Sequence, residues 1–169
     1  MGETYVKLGA MSTVHNPDRP TQEEWVGWAL DAGEQALATG DVPVGAVVIG
    51  PDGQVLGRGW NRREAEGDPL AHAEVVAMRQ AARARGGWRL QDCALAVTLE
   101  PCLMCAGAIG QARIPLVVFG AWDDKAGACG SVWDVLRDRA ALHRAEVRAG
   151  VREADCRRTL GEFFVTRRV

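Results

Sequence analysis

The chain has 169 residues, of which 47% are hydrophobic and 25% charged, and its formal net charge is −2. This length and composition are typical of one soluble globular domain with a single core. The charge argues against a protein that coats nucleic acid nonspecifically but leaves room for a local basic patch. The sequence shows neither an apolar run that could span a membrane nor a secretory leader pattern. We therefore expect a cytoplasmic protein whose five cysteines are thiols or metal ligands.

The first half of the chain predicts a tail, a helix and a hairpin. Residues 1–20 lack sustained periodicity and are interpreted as a disordered tail before one domain over 21–169. TQEE at 21–24 is a capping box, which predicts a helix to about Leu37. Two β-rich runs flank the turn sequence PDG at 51–53, which predicts a β-hairpin.

The second half alternates helical and strand patterns, which predicts an α/β sandwich with several parallel strands. After a polar loop, a helix is expected from about His72 to Gly86 or Gly87. The remaining expected elements are a strand at 93–99, a helix at 101–113, a strand at 114–121, a glycine-rich loop at 122–131, a short helix at 132–138, a strand at 143–151 and a final helix at 152–168.

Two short motifs at predicted helix starts point to a metal site. Cys102 and Cys105 form a CxxC pair, and no second CxxC completes a four-thiolate cage. His72 stands at the start of another helix, so two adjacent strand–helix units would bring one imidazole and two thiolates together. Three protein ligands leave the fourth position of zinc open, as in catalytic sites. Glu74 would then lie beside the metal as a proton carrier.

Each motif alone has a simpler explanation, since a single CxxC is often two buried thiols and a single HxE is uninformative. Together, HAE and PCxxC form the signature of the zinc-dependent nucleobase deaminases. His15 lies in the tail and His143 has no acidic or thiol partner nearby in sequence, so both are interpreted as solvated or packed imidazoles. The other cysteines are interpreted as structural or exposed thiols, and no phosphate-binding glycine motif suggests an organic cofactor.

The wider sequence resembles one family of such enzymes. The stretches DVPVGAVVI, GRGWNRR, DPLAHAEVVAMRQA, TLEPCLMCAGAI and RIPLVVFGAWDDKAGACGS are similar, in order, to the bacterial tRNA-specific adenosine deaminases of the TadA type, in the cytidine deaminase superfamily. The resemblance implies adenosine-to-inosine conversion at the wobble position of a tRNA anticodon. It also implies a three-layer α/β/α fold with a central five-stranded mixed sheet, a homodimer and one zinc ion per subunit.

The resemblance also assigns roles to individual residues. It implies zinc ligation by three residues, proton transfer by Glu74, and four substrate contacts. The zinc ligands are His72, Cys102 and Cys105, and the substrate contacts are Asn61, Val42, Asp123 and Lys125. Asn61 matches the residue that hydrogen-bonds the flipped nucleotide, and Val42 matches an apolar wall of the base pocket. Asp123 and Lys125 match loop positions near the neighbouring nucleotides.

Several of these residues have structural alternatives. Asn61 could cap a turn, Asp123 could form one, and Val42 could be ordinary packing. Three residues depart from the family's usual pattern, namely Leu70, Gln111 and Trp122. Trp122 could stack on an unpaired anticodon base or anchor its own loop.

Two rival functions stay open at this point. One is a zinc deaminase of a free base or nucleoside, such as guanine or cytosine. The other is a noncatalytic zinc-binding module, against which Glu74 argues. The small residues of the helix that follows Cys102 fit either a dimer contact or close packing on the sheet.

Overall fold

The computed structural model describes residues 19–167, so the predicted tail lies outside the described residues except for its last two positions. A five-stranded sheet in the order β2-β1-β3-β4-β5 forms the centre. β1 is antiparallel to β2 and β3, whereas β3, β4 and β5 are parallel. The strands are β1 (Gly45–Ile49), β2 (Val55–Trp60), β3 (Ala94–Leu99), β4 (Leu116–Ala121) and β5 (Glu146–Arg148).

Five α-helices and one 3₁₀ helix surround the sheet among the described residues. The α-helices are α1 (Gln22–Glu34), α2 (Arg63–Glu66), α3 (Ala73–Arg85), α4 (Leu103–Ala112) and α5 (Glu153–Thr166). The 3₁₀ helix spans Gln35–Thr39. Over the described residues, none of these helices has the length and apolar character needed to cross a membrane.

The sheet separates two apolar cores, which makes the fold three-layered. Side chains of β3 alternate between them, as a strand with both faces covered requires. Leu95 and Val97 pack with α3 and α4, whereas Ala94 and Ala96 pack with α1 and α5. The predicted three-layer architecture with a five-stranded mixed sheet is confirmed.

The first helix begins at the predicted capping box. The Thr21 hydroxyl accepts a hydrogen bond from the Glu24 backbone N–H, and the Glu24 carboxylate accepts one from the Thr21 N–H. These two bonds satisfy N–H groups that the first turn of a helix leaves free. The 3₁₀ turn continues the helical chain past Leu37, close to the expected end.

Two glycines of β2 let α3 lie directly on the hairpin. A Cβ atom on Gly57 would be 2.2 Å from the Ala77 carbonyl oxygen, and one on Gly59 would be 2.2 Å from the Ala73 oxygen. Any side chain at these positions would therefore push the helix away. The close contact fixes the start of α3, and so His72, beside the sheet.

Two local predictions were wrong. Residues 132–138 form turns instead of a helix, because their N–H groups bond to the preceding loop: Trp133 donates to the Gly127 carbonyl and Val135 to the Ala128 carbonyl. Conversely, the predicted loop after β2 contains the short helix α2. Its Glu64 N–H donates to the carboxylate of Asp41, more than twenty residues earlier in the chain.

Candidate active site

Three potential metal ligands meet where α3 and α4 begin. His72 is the N-cap of α3 and Cys102 is the N-cap of α4, both with extended backbone, and Cys105 lies in the first turn of α4. The Cys102 sulfur is 3.7 Å and the Cys105 sulfur 3.6 Å from His72 Nδ1. The three donor atoms lie within 4.8 Å of one another.

These separations fit a tetrahedral zinc ion. Zinc–sulfur bonds of about 2.3 Å and zinc–nitrogen bonds of about 2.05 Å place sulfur and nitrogen about 3.6 Å apart at a tetrahedral angle. One imidazole and two thiolates are also a donor set that zinc prefers. With three protein ligands, the fourth position remains for water or substrate.

The pKa values of the two cysteines shift in opposite directions. The Cys105 thiol donates a hydrogen bond to Cys102 and, together with His72, lowers the pKa of Cys102 to about 3. The same hydrogen bond, together with burial, raises the pKa of Cys105. Zinc binding must displace the Cys105 proton, so metal affinity decreases as the pH falls.

Glu74 lies in the first turn of α3 and is buried, with only 4% of its surface exposed. Burial disfavours the charged carboxylate and raises the pKa of Glu74 to about 7. A carboxyl group with such a pKa can both accept and release a proton near neutral pH. This environment suits the proton carrier that the sequence predicts at this position.

A cavity of about 200 Å³ opens in front of these residues. It is lined by six of the eight predicted site residues, namely Val42, Asn61, His72, Glu74, Cys102 and Asp123. Cys105 lies behind them as a buried member of the ligand cluster. Lys125 does not line the cavity, and its backbone N–H donates to the Asp123 carboxylate. Arg63, which the sequence reasoning missed, also lines it.

A buried carboxylate that the sequence reasoning also missed organises one side of the cavity. Glu100 is 2% exposed and lies two residues before Cys102. Its oxygens accept hydrogen bonds from the backbone N–H groups of Asp123, Cys129 and Ser131. One side chain thus ties the glycine-rich loop to the ligand turn. A carboxylate directly after the apolar run of β3 was the available signal.

Replacing Glu100 by glutamine is expected to lower the free energy of unfolding by about 2 kcal/mol, because an amide NH₂ would face a buried backbone N–H. Urea denaturation measures this change. Glu34→Gln, at an exposed position of α1, is the matched control and should differ little from the wild type. Equal stability of the Glu100 and Glu34 variants would contradict the tethering role.

Local contacts bear on two roles that the sequence left open, those of Asn61 and Trp122. The Asn61 side-chain oxygen accepts a long hydrogen bond of 3.4 Å from the Arg63 backbone N–H, as a turn-capping residue would, and Asn61 also lines the cavity. Trp122 is half-buried and packs edge-on against Phe119, with ring centroids 4.9 Å apart. This packing favours Trp122 as the anchor of its own loop.

The fold and the ligand cluster define a class of enzyme, the zinc-dependent deaminases. The family described as the cytidine and deoxycytidylate deaminase zinc-binding region matches residues 19–121. A Streptococcus pyogenes tRNA-specific adenosine deaminase is 43% identical over 136 residues, which cover 80% of this chain and 85% of that protein. The chain belongs to the family of tRNA-specific adenosine deaminases.

Solved structures agree with this placement. A structure from studies of A-to-I editing by tRNA:A34 deaminases is 38% identical, with a TM-score of 0.78, and covers 81% of this chain and 99% of its own. A guanine deaminase from Bacillus subtilis is 35% identical, with a TM-score of 0.60, and covers 66% of this chain and 71% of its own. The match to the tRNA deaminase is thus longer and structurally closer.

Proposed function

We propose that this protein converts adenosine to inosine at the wobble position of a tRNA anticodon. The observation that carries the proposal is the buried carboxylate of Glu74 beside the His72, Cys102 and Cys105 cluster, in a cavity large enough for a nucleobase. Membership in the tRNA-specific adenosine deaminase family supplies the substrate class. We also propose a cytoplasmic location, since the proposed substrate is tRNA and none of the five cysteines, all within residues 19–167, is in a disulfide.

We assign zinc ligation to His72, Cys102 and Cys105. When bound, zinc supplies Lewis acidity that activates water for attack on the purine ring. Glu74 takes one proton from the attacking water and delivers it to the ring nitrogen, and it then passes the second proton of that water to the leaving amine as the C–N bond breaks and the carbonyl forms. Adenosine and water thus become inosine and ammonia. The burial of Glu74 limits access by bulk water, which strengthens its interactions with the reacting groups.

The cavity walls would hold the flipped base. Asn61 has a side-chain amide that can hydrogen-bond the nucleotide, and Val42 offers an apolar surface for the base. Asp123 lies at the loop side of the cavity, where its carboxylate accepts the Lys125 and Ala126 N–H groups and fixes the turn. Lys125 is exposed outside the cavity, and we assign its ammonium group to a neighbouring phosphate.

A deamination assay tests this function, with an in vitro transcribed tRNA that has adenosine at the wobble position as the substrate. Inosine is read at that position, with free adenosine, cytosine and guanine assayed in parallel. Inosine on the tRNA alone would support the proposal. Activity on free guanine alone would favour the rival that the Bacillus subtilis guanine deaminase represents, and would overturn the RNA assignment.

We further propose that the protein is a homodimer that pairs through α3 and α4. An apolar groove of about 560 Å³ lies between these helices, and Trp88 at its edge is 54% exposed. An added Cβ atom at Gly107 or Gly110 would meet nothing within 4 Å. These glycines of α4 are therefore not needed for packing on the sheet, which favours the dimer interpretation of the small residues.

Charged substitutions in this groove are expected to give monomers. The double substitution Val75→Glu and Trp88→Glu would bury two carboxylates in an apolar contact, which costs several kcal/mol. Analytical ultracentrifugation measures the mass. Trp133→Glu, at a comparably exposed tryptophan outside the groove, is the control and should remain dimeric. A monomeric wild type, or a dimeric double variant, would contradict this interface.

A further inference from the structure

A basic groove lies beside the active site, between β2 and α3. It has a volume of about 380 Å³, and its lining contains four arginines but one acidic residue. The arginines are Arg58, Arg62, Arg79 and Arg83, and the acidic residue is Glu66. The whole chain has a net charge of −2, so this positively charged surface is opposite in sign to the net charge of the protein.

The fold itself places these arginines together. Arg58 and Trp60 project to the same side of β2, because side chains alternate along a strand. Arg79 and Arg83 are one helical turn apart on α3, about 6 Å from each other. The groove runs along the outer edge of β2, where residues of the strand and of α3 line it together.

Among the residues that the structure describes, two of the four arginines have no carboxylate partner. Arg62 pairs with Glu66 at 2.6 Å, and Arg79 reaches Asp68 at 3.8 Å. Within residues 19–167, Arg58 and Arg83 make no ion pair. The groove therefore keeps unbalanced guanidinium groups that an anionic partner would neutralise.

The contacts at the strand edge argue against a peptide strand as the partner. β2 is an edge strand, where an added strand would need free backbone groups. The Arg58 N–H instead donates to the Gln80 side-chain oxygen at 2.6 Å. The groove thus offers side-chain cations rather than a backbone ladder.

The groove is continuous in sequence with the active-site cavity. Trp60 and Arg62 line the groove, whereas Asn61 between them and Arg63 after them line the cavity. One short segment, residues 60–63, thus borders both the cavity and the groove, so a polymer with one unit in the cavity has the groove as a neighbouring surface. Arginine forks match phosphate oxygens, and an array of several suits a chain of phosphates better than one small anion.

We propose that this groove binds the phosphodiester backbone of the tRNA next to the nucleotide that enters the cavity. The inference rests on the proposed function, since it takes tRNA as the substrate. Arg58 and Arg83 act on binding, not on chemistry, because neither lines the catalytic cavity. Their contribution is expected to depend on salt, as phosphate contacts do.

The test compares wild-type protein with the double variant Arg58→Gln and Arg83→Gln. Fluorescence anisotropy measures Kd for a labelled anticodon stem-loop RNA over a series of salt concentrations. We expect Kd to rise about tenfold at low salt, and the slope of log K against log salt to fall in magnitude by about 2. In deamination assays KM should rise in parallel, with kcat changed less than about twofold.

Two further variants keep the test decisive. Arg144→Gln, at an exposed arginine beside β5 on the opposite edge of the sheet, is the matched control and should leave both Kd and slope unchanged. Arg58→Lys with Arg83→Lys keeps the charge and should retain most of the salt slope. If the glutamine variant melts at a lower temperature, the lysine variant separates lost charge from lost fold.

The outcomes also separate this proposal from the proposed function. Unchanged Kd and slope in the double glutamine variant, or equal weakening by Arg144→Gln, would overturn the groove assignment even when wild-type protein makes inosine. A wild type that makes no inosine would overturn the proposed function. The groove would still be supported if that protein bound the RNA with a salt slope that the double variant reduces.

Discussion

Replacing Glu74 by glutamine is expected to lower turnover about a thousandfold while the protein keeps one zinc ion per chain. Glutamine preserves the size of the side chain and leaves the three proposed ligands in place, so metal binding should persist. The amide cannot accept a proton from water or return it to the base, and positioned acid–base groups contribute about 10² to 10⁴ in rate. The loss should therefore appear in kcat far more than in KM.

Single-turnover deamination of the wobble-adenosine tRNA, with zinc measured by mass spectrometry on the same sample, tests this expectation. Glu23→Gln, the same chemical change on the exposed side of α1, is the control and should retain full activity. Substantial residual turnover in the Glu74 variant would show that another group moves the proton.

Replacing Cys102 by serine is expected to abolish both zinc binding and deamination without unfolding the domain. Cys102 contributes one of only three proposed ligands, and a serine hydroxyl is a poor substitute for a thiolate. The two apolar cores on either side of the sheet do not include the Cys102 side chain. We therefore expect the melting temperature to fall by no more than about 5 °C, or roughly 2 kcal/mol.

Zinc content, activity and circular dichroism are measured together for this variant. Cys93→Ala alters a buried cysteine outside the ligand cluster, and as the control it should keep zinc and activity. A Cys102 variant that unfolds on losing zinc would indicate a structural metal, which is the behaviour of the noncatalytic zinc module. Removing zinc from wild-type protein with a chelator should reproduce the variant's behaviour.

The amino-acid sequence alone predicted the features that depend on local interactions. The capping box at Thr21 and Glu24 needs residues three positions apart, and the hairpin turn at 51–53 needs only its own residues. The ligand motifs were equally local, since the N-cap of a helix places His72 and the next helix places Cys102. The family resemblance then supplied the sheet arrangement, which the structure confirms.

Structural features that depend on contacts between distant residues could not be predicted from the sequence. Residues 132–138 have a helix-like sequence pattern. They form turns because backbone N–H groups of this segment donate hydrogen bonds to carbonyl groups of the preceding loop. The helix α2 is stabilised by Asp41, which precedes β1 in the chain and whose carboxylate accepts hydrogen bonds from the Glu64 and Ala65 N–H groups. The residues around Glu100 do not indicate that its carboxylate accepts hydrogen bonds from three backbone N–H groups between 23 and 31 residues away.

The basic groove is another feature that the tertiary structure, and not the local sequence, determines. The sequence displays many arginines, and their number alone is compatible with no function at all. Only the packing of α3 next to β2 brings Arg58 and Arg83, which are 25 residues apart in the chain, to one groove. The sequence by itself thus determined the proposed chemistry, because the zinc ligands and Glu74 lie in short motifs at helix starts. The tertiary structure decided what surrounds that chemistry, because charges and buried carboxylates act across space rather than along the chain.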